Sequence, residues 1–166
     1  MSAEAMRDAS VVVTRDAKGL VALLSADFVD HGGEYLFLPG GRFEAGESPI
    51  DCARRELREE AGVTAGRWRS LGSYAITLGS QVRVHLFEAR ELTLGSQQLT
   101  ETEADFKLTW WSMGDALEAA HGGRFLLPAG PLALLLAEHR PEPEQGVQER
   151  SVTGELDTLR EALAGE

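Results

Sequence analysis

Cysteine is almost absent from this 166-residue chain, since Cys52 stands alone and cannot form an internal disulfide. That excludes a disulfide-stapled scaffold and favours a reducing compartment, so we expect a cytoplasmic protein. The chain also has no run of about 20 apolar residues, the length that a membrane-spanning helix needs. Charges are spread through its first twenty residues, unlike a secretory signal. We therefore expect no membrane partner.

Basic residues are scarce, with 16 Lys and Arg against 27 Asp and Glu and a net charge of −11. A nucleic-acid partner is excluded by this balance, because binding its backbone needs clustered Lys and Arg. A small anionic substrate stays open, since bound divalent cations can reverse the local field. The hydrophobic content of 43% and the chain length fit one globular domain with a sizeable core.

Hydrophobic periodicity predicts several strands around one early helix, with two more helices late in the chain. The first two strands, joined by a tight turn, are expected to pair with each other. This order favours a layered α/β/α sandwich with a central mixed β-sheet. Strands are predicted over 10–16, 20–26, 34–38, 68–78, 81–91 and 106–113, and helices over 49–61, 114–123 and 128–140.

Composition divides the chain into three parts. Residues 1–9 are expected to be a flexible start, 10–140 the domain, and 141–166 a Pro- and Glu-rich linker followed by a short helix. That last helix would dock on the domain or on a second copy, so a homodimer is possible. Its apolar face would carry three leucines, Leu156, Leu159 and Leu163.

The stretch GRFEAGESPIDCARRELREEAGV, over 41–63, combines a glycine-rich turn with a charged helix. Ser48 is the expected N-cap, Pro49 lies in the first turn, and Gly62 ends the helix. At about 100° per residue the apolar side chains form one stripe. Three glutamates fall on another sector, which we expect to face solvent: Glu56, Glu59 and Glu60.

Two interpretations of that acidic sector compete. In the first, the sector is a solvated face on which Arg55 and Arg58 pair with the glutamates. In the second, the sector binds a cation, and the Pro-Gly-Gly turn just ahead favours this interpretation because it offers backbone carbonyls beside the carboxylates. Carbonyl and carboxylate oxygens are the ligands of hard cations such as Mg²⁺ and Mn²⁺.

The same stretch resembles the Nudix box. A glycine at Gly41, a glutamate at Glu47 and then RELREEAGV over 55–63 match the pattern at every defining position. The similarity of the wider sequence covers about residues 10 to 138. This resemblance implies a Nudix-type fold and an enzyme that hydrolyses a phosphoanhydride in a nucleoside diphosphate linked to another moiety.

Further residue roles follow from the resemblance. Arg55 would orient the glutamates, Glu47 would brace the junction between loop and helix, and Glu59 would serve in catalysis as well as in metal binding. A general base is expected on the acidic loop TETEAD, where Glu103 is favoured over Glu101 and Asp105. The metal, Mg²⁺ or Mn²⁺, would be held by Glu56, Glu59, Glu60 and the carbonyl of Gly40.

The substrate is the least determined part. The segment TWWSMGDALEAAHGGRF resembles that of Nudix enzymes acting on ADP-ribose and nucleoside diphosphate sugars. Arg42, Phe43 and Trp111 are the candidate substrate contacts. A nucleoside triphosphate pyrophosphohydrolase and a nucleotide-sensing module without catalysis remain alternatives. An isomerase of prenyl diphosphates ranks last, because the single cysteine lies within the box helix.

Overall fold

A computed structural model describes residues 6–139 of the chain. The linker and helix predicted over 141–166 lie outside the described residues. Within the described part no helix is long and apolar enough to cross a membrane.

Residues 6–139 form seven strands, three α-helices and two short 3₁₀ turns. The strands are β1 (Ala9–Thr14), β2 (Val21–Phe28), β3 (Gly33–Phe37), β4 (Gly40–Arg42), β5 (Val63–Ala75), β6 (Arg83–Leu94) and β7 (Lys107–Trp111). The helices are α1 (Pro49–Ala61), α2 (Met113–His121) and α3 (Ala129–His139).

The strands form two sheets, in the orders β4-β1-β6-β5 and β3-β2-β7. The predicted pairing of β1 with β2 is wrong, because the two strands belong to different sheets and share only a bridge between Arg15 and Val21. β1 instead runs parallel to β6 and antiparallel to β4. Its side chains are buried on both faces, as Val12 and Val13 show, which is the environment of a central strand.

Helices cover both faces of the larger sheet, as the predicted α/β/α sandwich requires. On one face α1 packs through Ala53 and Leu57 against Val12. On the other face α2 and α3 pack against Val13 and Leu86. The two core clusters therefore lie on opposite sides of β1, and α1 is held directly over the strand that β4 flanks.

The third helix is buried over most of its surface. Ala133 and Leu134 are fully enclosed, whereas Leu135 is 43% exposed. At its end Glu138 Oε2 accepts a hydrogen bond from Arg15 Nη2 at 2.9 Å. The described chain thus ends beside the turn that joins β1 to β2.

Candidate functional site

The ends of α1 are fixed by the residues that the sequence marked. Ser48 Oγ accepts a hydrogen bond from the Asp51 N–H at 3.2 Å, and Pro49 opens the helix. At the other end Gly62 takes a left-handed conformation, with φ of 67°, and its N–H donates to Arg58 O at 3.0 Å. Both caps are as predicted, so the register of the glutamates on the helix is well defined.

The Pro-Gly-Gly segment differs from the turn that was predicted. Gly40 and Gly41 form strand β4 with β1, and neither has a positive φ. Their lack of a side chain matters because of close contact instead: a Cβ at Gly40 would meet Ser10 O, and one at Gly41 would meet Glu56 Oε1. Gly40 therefore lets β4 approach β1, and Gly41 lets it approach the carboxyl group of Glu56.

Arg55 donates two hydrogen bonds to Glu47. Its Nε donates to Glu47 Oε1 at 2.7 Å and its Nη2 donates to Glu47 Oε2 at 3.0 Å. The guanidinium lowers the pKa of Glu47 below its usual value. Glu47 Oε2 also accepts from the Glu44 N–H at 2.8 Å. This bidentate pair ties the loop to the helix, which is the bracing role expected of Glu47.

The same arginine reaches two of the three helix glutamates. Arg55 Nη1 lies 2.8 Å from Glu56 Oε1 and 3.3 Å from Glu59 Oε2. Its Nη2 also donates to the carbonyl of Arg42 at 3.0 Å. The pKa of Arg55 is raised, chiefly by its bonds with Glu47. Arg58, the other arginine considered, lies exposed.

Glu56 and Glu60 are buried, so the expectation that these positions face solvent is wrong. Their exposures are 8% and 4%, because β4 lies directly over this side of the helix. Glu60 Oε2 accepts a hydrogen bond from the Gly40 N–H at 3.0 Å. Glu59 is partly exposed. β4 therefore covers Glu56 and Glu60, and Glu59 is the glutamate of the sector that solvent reaches most.

Burial and like charge raise the pKa of both enclosed glutamates. The pKa of Glu60 rises to about 9, first through burial and then through Glu56 and Glu103, against the stabilising Gly40 N–H. Burial also raises the pKa of Glu56; Arg55 opposes this, while Glu59 and Glu103 add to it. The two carboxyl groups hold a proton between them more readily than either would alone.

Glu103, on the acidic loop, carries a charge that raises the pKa of these carboxyl groups. Glu103 ends a short turn over Glu101–Glu103, where its Oε1 accepts from the Thr100 N–H at 3.1 Å. Its charge acts on both Glu56 and Glu60. Asp105 instead accepts from the Asp27 N–H at 3.4 Å, at the end of β2. Of the three loop candidates, Glu103 is therefore the one coupled to the helix carboxylates.

The three candidate substrate contacts lie in different places. Arg42 is exposed at the end of β4, and Phe43 follows it, stacked on His85 with centroids 5.5 Å apart. Trp111 packs in the core cluster of α2 and α3, beneath Arg124, so it is not brought to the glutamates of α1. Its neighbour Trp110 packs in the α1 cluster instead.

Sequence analysis missed a pair next to this site. His85 Nε2 lies 2.9 Å from Asp8 Oδ2, and this contact lowers the pKa of Asp8. The Phe43 N–H donates to Asp8 O at 2.8 Å. Residue 8 was assigned to a flexible start, yet it anchors β4. The alternation of β6 placed His85 on the face that meets Asp8, but no local pattern marked Asp8 itself.

The donor set fits a hard divalent cation. All the donor atoms of these carboxyl groups are oxygens, the ligands that hard cations take, and a bound cation would favour the ionised forms that burial disfavours. Within residues 6–139, no three acidic, His or Cys side chains converge on one point as in a formed metal centre. Arg55 donates hydrogen bonds to Glu56 and Glu59, so each of these carboxylates would give up part of its contact with Arg55 on binding a cation.

The family of the chain follows from comparison with known proteins. The sequence profile of the NUDIX domain matches residues 5–128. The chain belongs to the Nudix family. The matched range contains the glutamate helix, β4 and the acidic loop, so the site described above lies within the Nudix domain.

Individual relatives agree with this assignment. The chain is 30% identical over 136 residues to an ADP-ribose pyrophosphatase of Mycobacterium tuberculosis (strain ATCC 25618 / H37Rv), covering 79% of this chain and 64% of that protein. The chain therefore spans a little under two thirds of the length of this relative.

Two solved structures show that the α/β/α fold is the Nudix fold. An ADP compounds hydrolase has a TM-score of 0.70 at 22% identity, over 80% of this chain and 71% of that one. A structure of MutT, from work on Aliivibrio salmonicida and Vibrio cholerae, has a TM-score of 0.60 at 16% identity. It covers 80% of this chain and 97% of that one. The predicted fold class is confirmed.

Proposed function

We propose that the protein is a metal-dependent pyrophosphohydrolase that cleaves a nucleoside diphosphate linked to a second moiety. ADP-ribose or a nucleoside diphosphate sugar is the proposed substrate, and Mg²⁺ or Mn²⁺ the proposed cofactor. The pyrophosphatase relative from M. tuberculosis supports this substrate class. The single, buried cysteine supports the cytoplasm as its location.

One observation carries the proposal: Glu56 and Glu60 are buried side by side, and within residues 6–139 Arg55 is the cation paired with Glu56, while Glu60 accepts from the Gly40 N–H. Burying uncompensated carboxylates costs stability, and a fold with no use for them would replace them with apolar side chains. Perturbed carboxylates at an enclosed site are typical of catalytic and metal-binding centres. A non-catalytic sensing module would not need this arrangement.

The proposed roles follow from the contacts. Glu56, Glu59, Glu60 and the carbonyl of Gly40 would hold the divalent cation. Bound there, it would supply Lewis-acid polarisation of a phosphoryl oxygen and a more acidic water. Arg55 would keep Glu56 and Glu59 in place through Nη1, and Glu47 would fix Arg55 through two bonds. The last required role, removal of a proton from water, is proposed for Glu103.

The reaction is hydrolysis of the phosphoanhydride. Water adds its oxygen to one phosphorus, the bridging P–O bond breaks, and the other phosphate leaves with the bridging oxygen. For ADP-ribose the products would be AMP and ribose 5-phosphate. Catalysis of this kind rests on positioning and on neutralising charge at the non-bridging oxygens.

A substrate panel tests the proposal. The full chain is incubated with ADP-ribose, nucleoside diphosphate sugars, dinucleoside polyphosphates and nucleoside triphosphates, each with Mg²⁺, with Mn²⁺ and with EDTA. We expect the two monophosphate products from ADP-ribose or a nucleotide sugar, and none with EDTA. Preferred release of pyrophosphate from triphosphates would overturn the substrate class. Turnover that persists in EDTA would overturn the metal dependence.

A further inference from the structure

A second depression, separate from the glutamate site, lies where the β1–β2 turn meets β5, β6 and β7. Its volume is about 1020 Å³. We call it the basic groove, because four cationic side chains line it against two acidic ones. The cations are Arg15, Lys18, Arg67 and Arg90, and the acids are Asp16 and Glu91. Three of these side chains already form ion pairs: Arg15 with Glu88 and Glu138, Arg67 with Glu91, and Arg90 with Glu88, which leaves the ammonium group of Lys18 for a further carboxylate.

The basic groove also has apolar walls. Leu92, Leu94 and Trp110 line it, and Leu94 is 67% exposed at its rim. A rim leucine and a half-buried tryptophan beside cations suit a ligand that is both acidic and apolar. A small polyanion alone would leave these walls uncovered.

The chain itself contains a segment that is both acidic and apolar. Residues 140–166 carry seven Asp and Glu against three Arg. The helical periodicity of the sequence puts Leu156, Leu159 and Leu163 on one face, and Glu155 and Asp157 flank the first of them. The segment therefore matches the basic groove in charge and in apolar character.

The place where the described chain ends brings the segment to the groove. Glu138, the residue before the last of α3, is bonded at 2.9 Å to Arg15, which lines the groove. Ala137 O accepts from Arg69 Nη2 at 3.4 Å, which fixes the helix end on β5. The 14 residues from 140 to 153 would span roughly 20 Å as a flexible linker and about 45 Å at full extension.

We propose that the segment 154–165 docks in the basic groove of its own chain, with its leucine face on Leu92, Leu94 and Trp110 and a carboxylate beside Lys18. A short tether raises the effective concentration of the segment to the millimolar range, so weak contacts suffice. The inference does not depend on the proposed substrate.

Docking here would act beside the catalytic loop. The rim residue Leu94 is followed by Gly95, whose N–H donates to Gly62 O at 2.7 Å. Gln97 Nε2 then donates to Glu60 O, also at 2.7 Å. A segment held against Leu94 therefore adjoins the loop that leads to Glu101–Glu103.

Zero-length cross-linking tests the proposal, because the chain has only two lysines, Lys18 and Lys107. A carbodiimide joins an ammonium group to a carboxylate that touches it. Lys18 lines the basic groove, whereas Lys107 is exposed on β7 and serves as the internal control. After trypsin we expect peptide 16–42 joined to 151–160, and no comparable product from Lys107. Absence of this product, or equal linkage of the segment to Lys107, would overturn the docking site.

A matched pair of variants separates docking from chance contact. Leu159→Asp adds a charge on the leucine face, and Thr158→Asp adds the same charge on the opposite face. We expect the yield of the Lys18 product to fall about tenfold in the first, since a lost leucine contact weakens binding by roughly a decade. In the second the yield should hold. Equal yields in the two variants would contradict apolar docking.

An isotope mixture decides which chain supplies the segment. Equal amounts of ¹⁵N-labelled and unlabelled full chain are cross-linked together. We expect products in which both peptides carry the same label. Mixed products would show the segment of a second copy in the groove and would overturn docking within the chain. Adding inorganic triphosphate should lower the yield only at concentrations that screen charge in general; loss at micromolar concentrations would reassign the groove to a small polyanion.

Discussion

Two buried glutamate sites lie on opposite faces of the same sheet, and they are built in opposite ways. Glu88 is 1% exposed and has arginines around it: its Oε1 accepts from Arg69 Nε and Arg90 Nε, each at 3.0 Å, while Arg15 Nε lies 3.6 Å from its Oε2. Glu56 and Glu60 are almost as buried, yet Arg55 alone neutralises part of their charge.

The difference separates a structural carboxylate from a functional one. At Glu88 three arginines surround one carboxyl group, which links β1, β5 and β6. At Glu56 and Glu60 burial and like charge raise the pKa values. We propose that a divalent cation supplies the missing positive charge there. Each prediction below perturbs one side of this comparison.

Removing the charge of Glu88 should have the largest effect on stability. In Glu88→Gln three arginines lose their buried partner, and breaking such a buried pair costs about 3–5 kcal/mol of unfolding free energy. Urea denaturation of the full chain measures this loss. Activity per folded molecule should stay near wild type, because the variant lies outside the glutamate site. Glu138→Gln, which alters only the exposed end of the Arg15 pair, should cost less than about 1 kcal/mol.

Removing the charge of Glu60 should have the reverse signature. Glu60→Gln keeps the Gly40 N–H bond at the remaining carbonyl oxygen and removes a buried repulsion, so metal-free stability should hold or rise. Since metal-ion catalysis supplies several kcal/mol, kcat/KM should fall on the order of 10²- to 10³-fold. Steady-state kinetics at saturating Mg²⁺ test this. A Glu60→Gln variant that is less stable but has normal kinetics would show that Glu60 has a structural role and not a catalytic one.

Glu103→Gln should lower kcat by about 10²-fold while KM changes little, because a general base acts in the transition state. Glu101→Gln is the matched control, two residues away on the same turn and exposed. We expect the control to keep wild-type kcat. Equal losses in both variants would point to the loop fold rather than to one carboxylate.

Arg55→Lys should lower kcat/KM about 10- to 100-fold, since supporting contacts around metal ligands have effects of that size. A lysine keeps the charge but cannot donate two hydrogen bonds to Glu47 and also reach Glu56. Arg58→Lys, on the exposed face of α1, is the control and should be silent. Kinetics of both variants at several Mg²⁺ concentrations make the measurement, and an unaffected Arg55→Lys would remove its orienting role.

Metal-free stability should also depend on pH. Because the pKa of Glu60 is raised from 4.5 to about 9, the folded state holds more protons than the unfolded state between these values. The contribution is therefore present below pH 4.5 and lost as pH rises towards 9. Unfolding in EDTA should show a decline in stability over this window, with a shallower decline in Glu60→Gln. Parallel curves would contradict the raised pKa.

Local rules predicted α1 well. Ser48, Pro49 and Gly62 act on their own neighbours, so caps and helix register follow from sequence alone. All strands except β4, where the glycines predicted a turn, were also found from the sequence. Their partners were not, because alternation defines a strand without saying which strand lies beside it. β1 therefore pairs with β6, some 70 residues later, rather than with the adjacent β2.

The burial of Glu56 and Glu60 could likewise not be predicted from the sequence. The wheel separated Glu60 from the apolar stripe, but it could not show that Gly40 would lie over that sector. Arg90 is two residues from Glu88 on β6, but Arg69 lies on β5 and Arg15 just after β1, so these two partners had no local signature. Tertiary contacts surrounded Glu88 with arginines and left Glu56 and Glu60 with fewer.

Calorimetric titration of the full chain with Mn²⁺ tests this central contrast most directly. The account predicts saturable binding by wild type, binding of the same strength in a folded Glu88→Lys or Glu88→Gln variant, and affinity at least about tenfold weaker in Glu60→Gln. Equal Mn²⁺ affinity in wild type and Glu60→Gln would contradict it, because the buried pair on α1 would then not be where the cation is held.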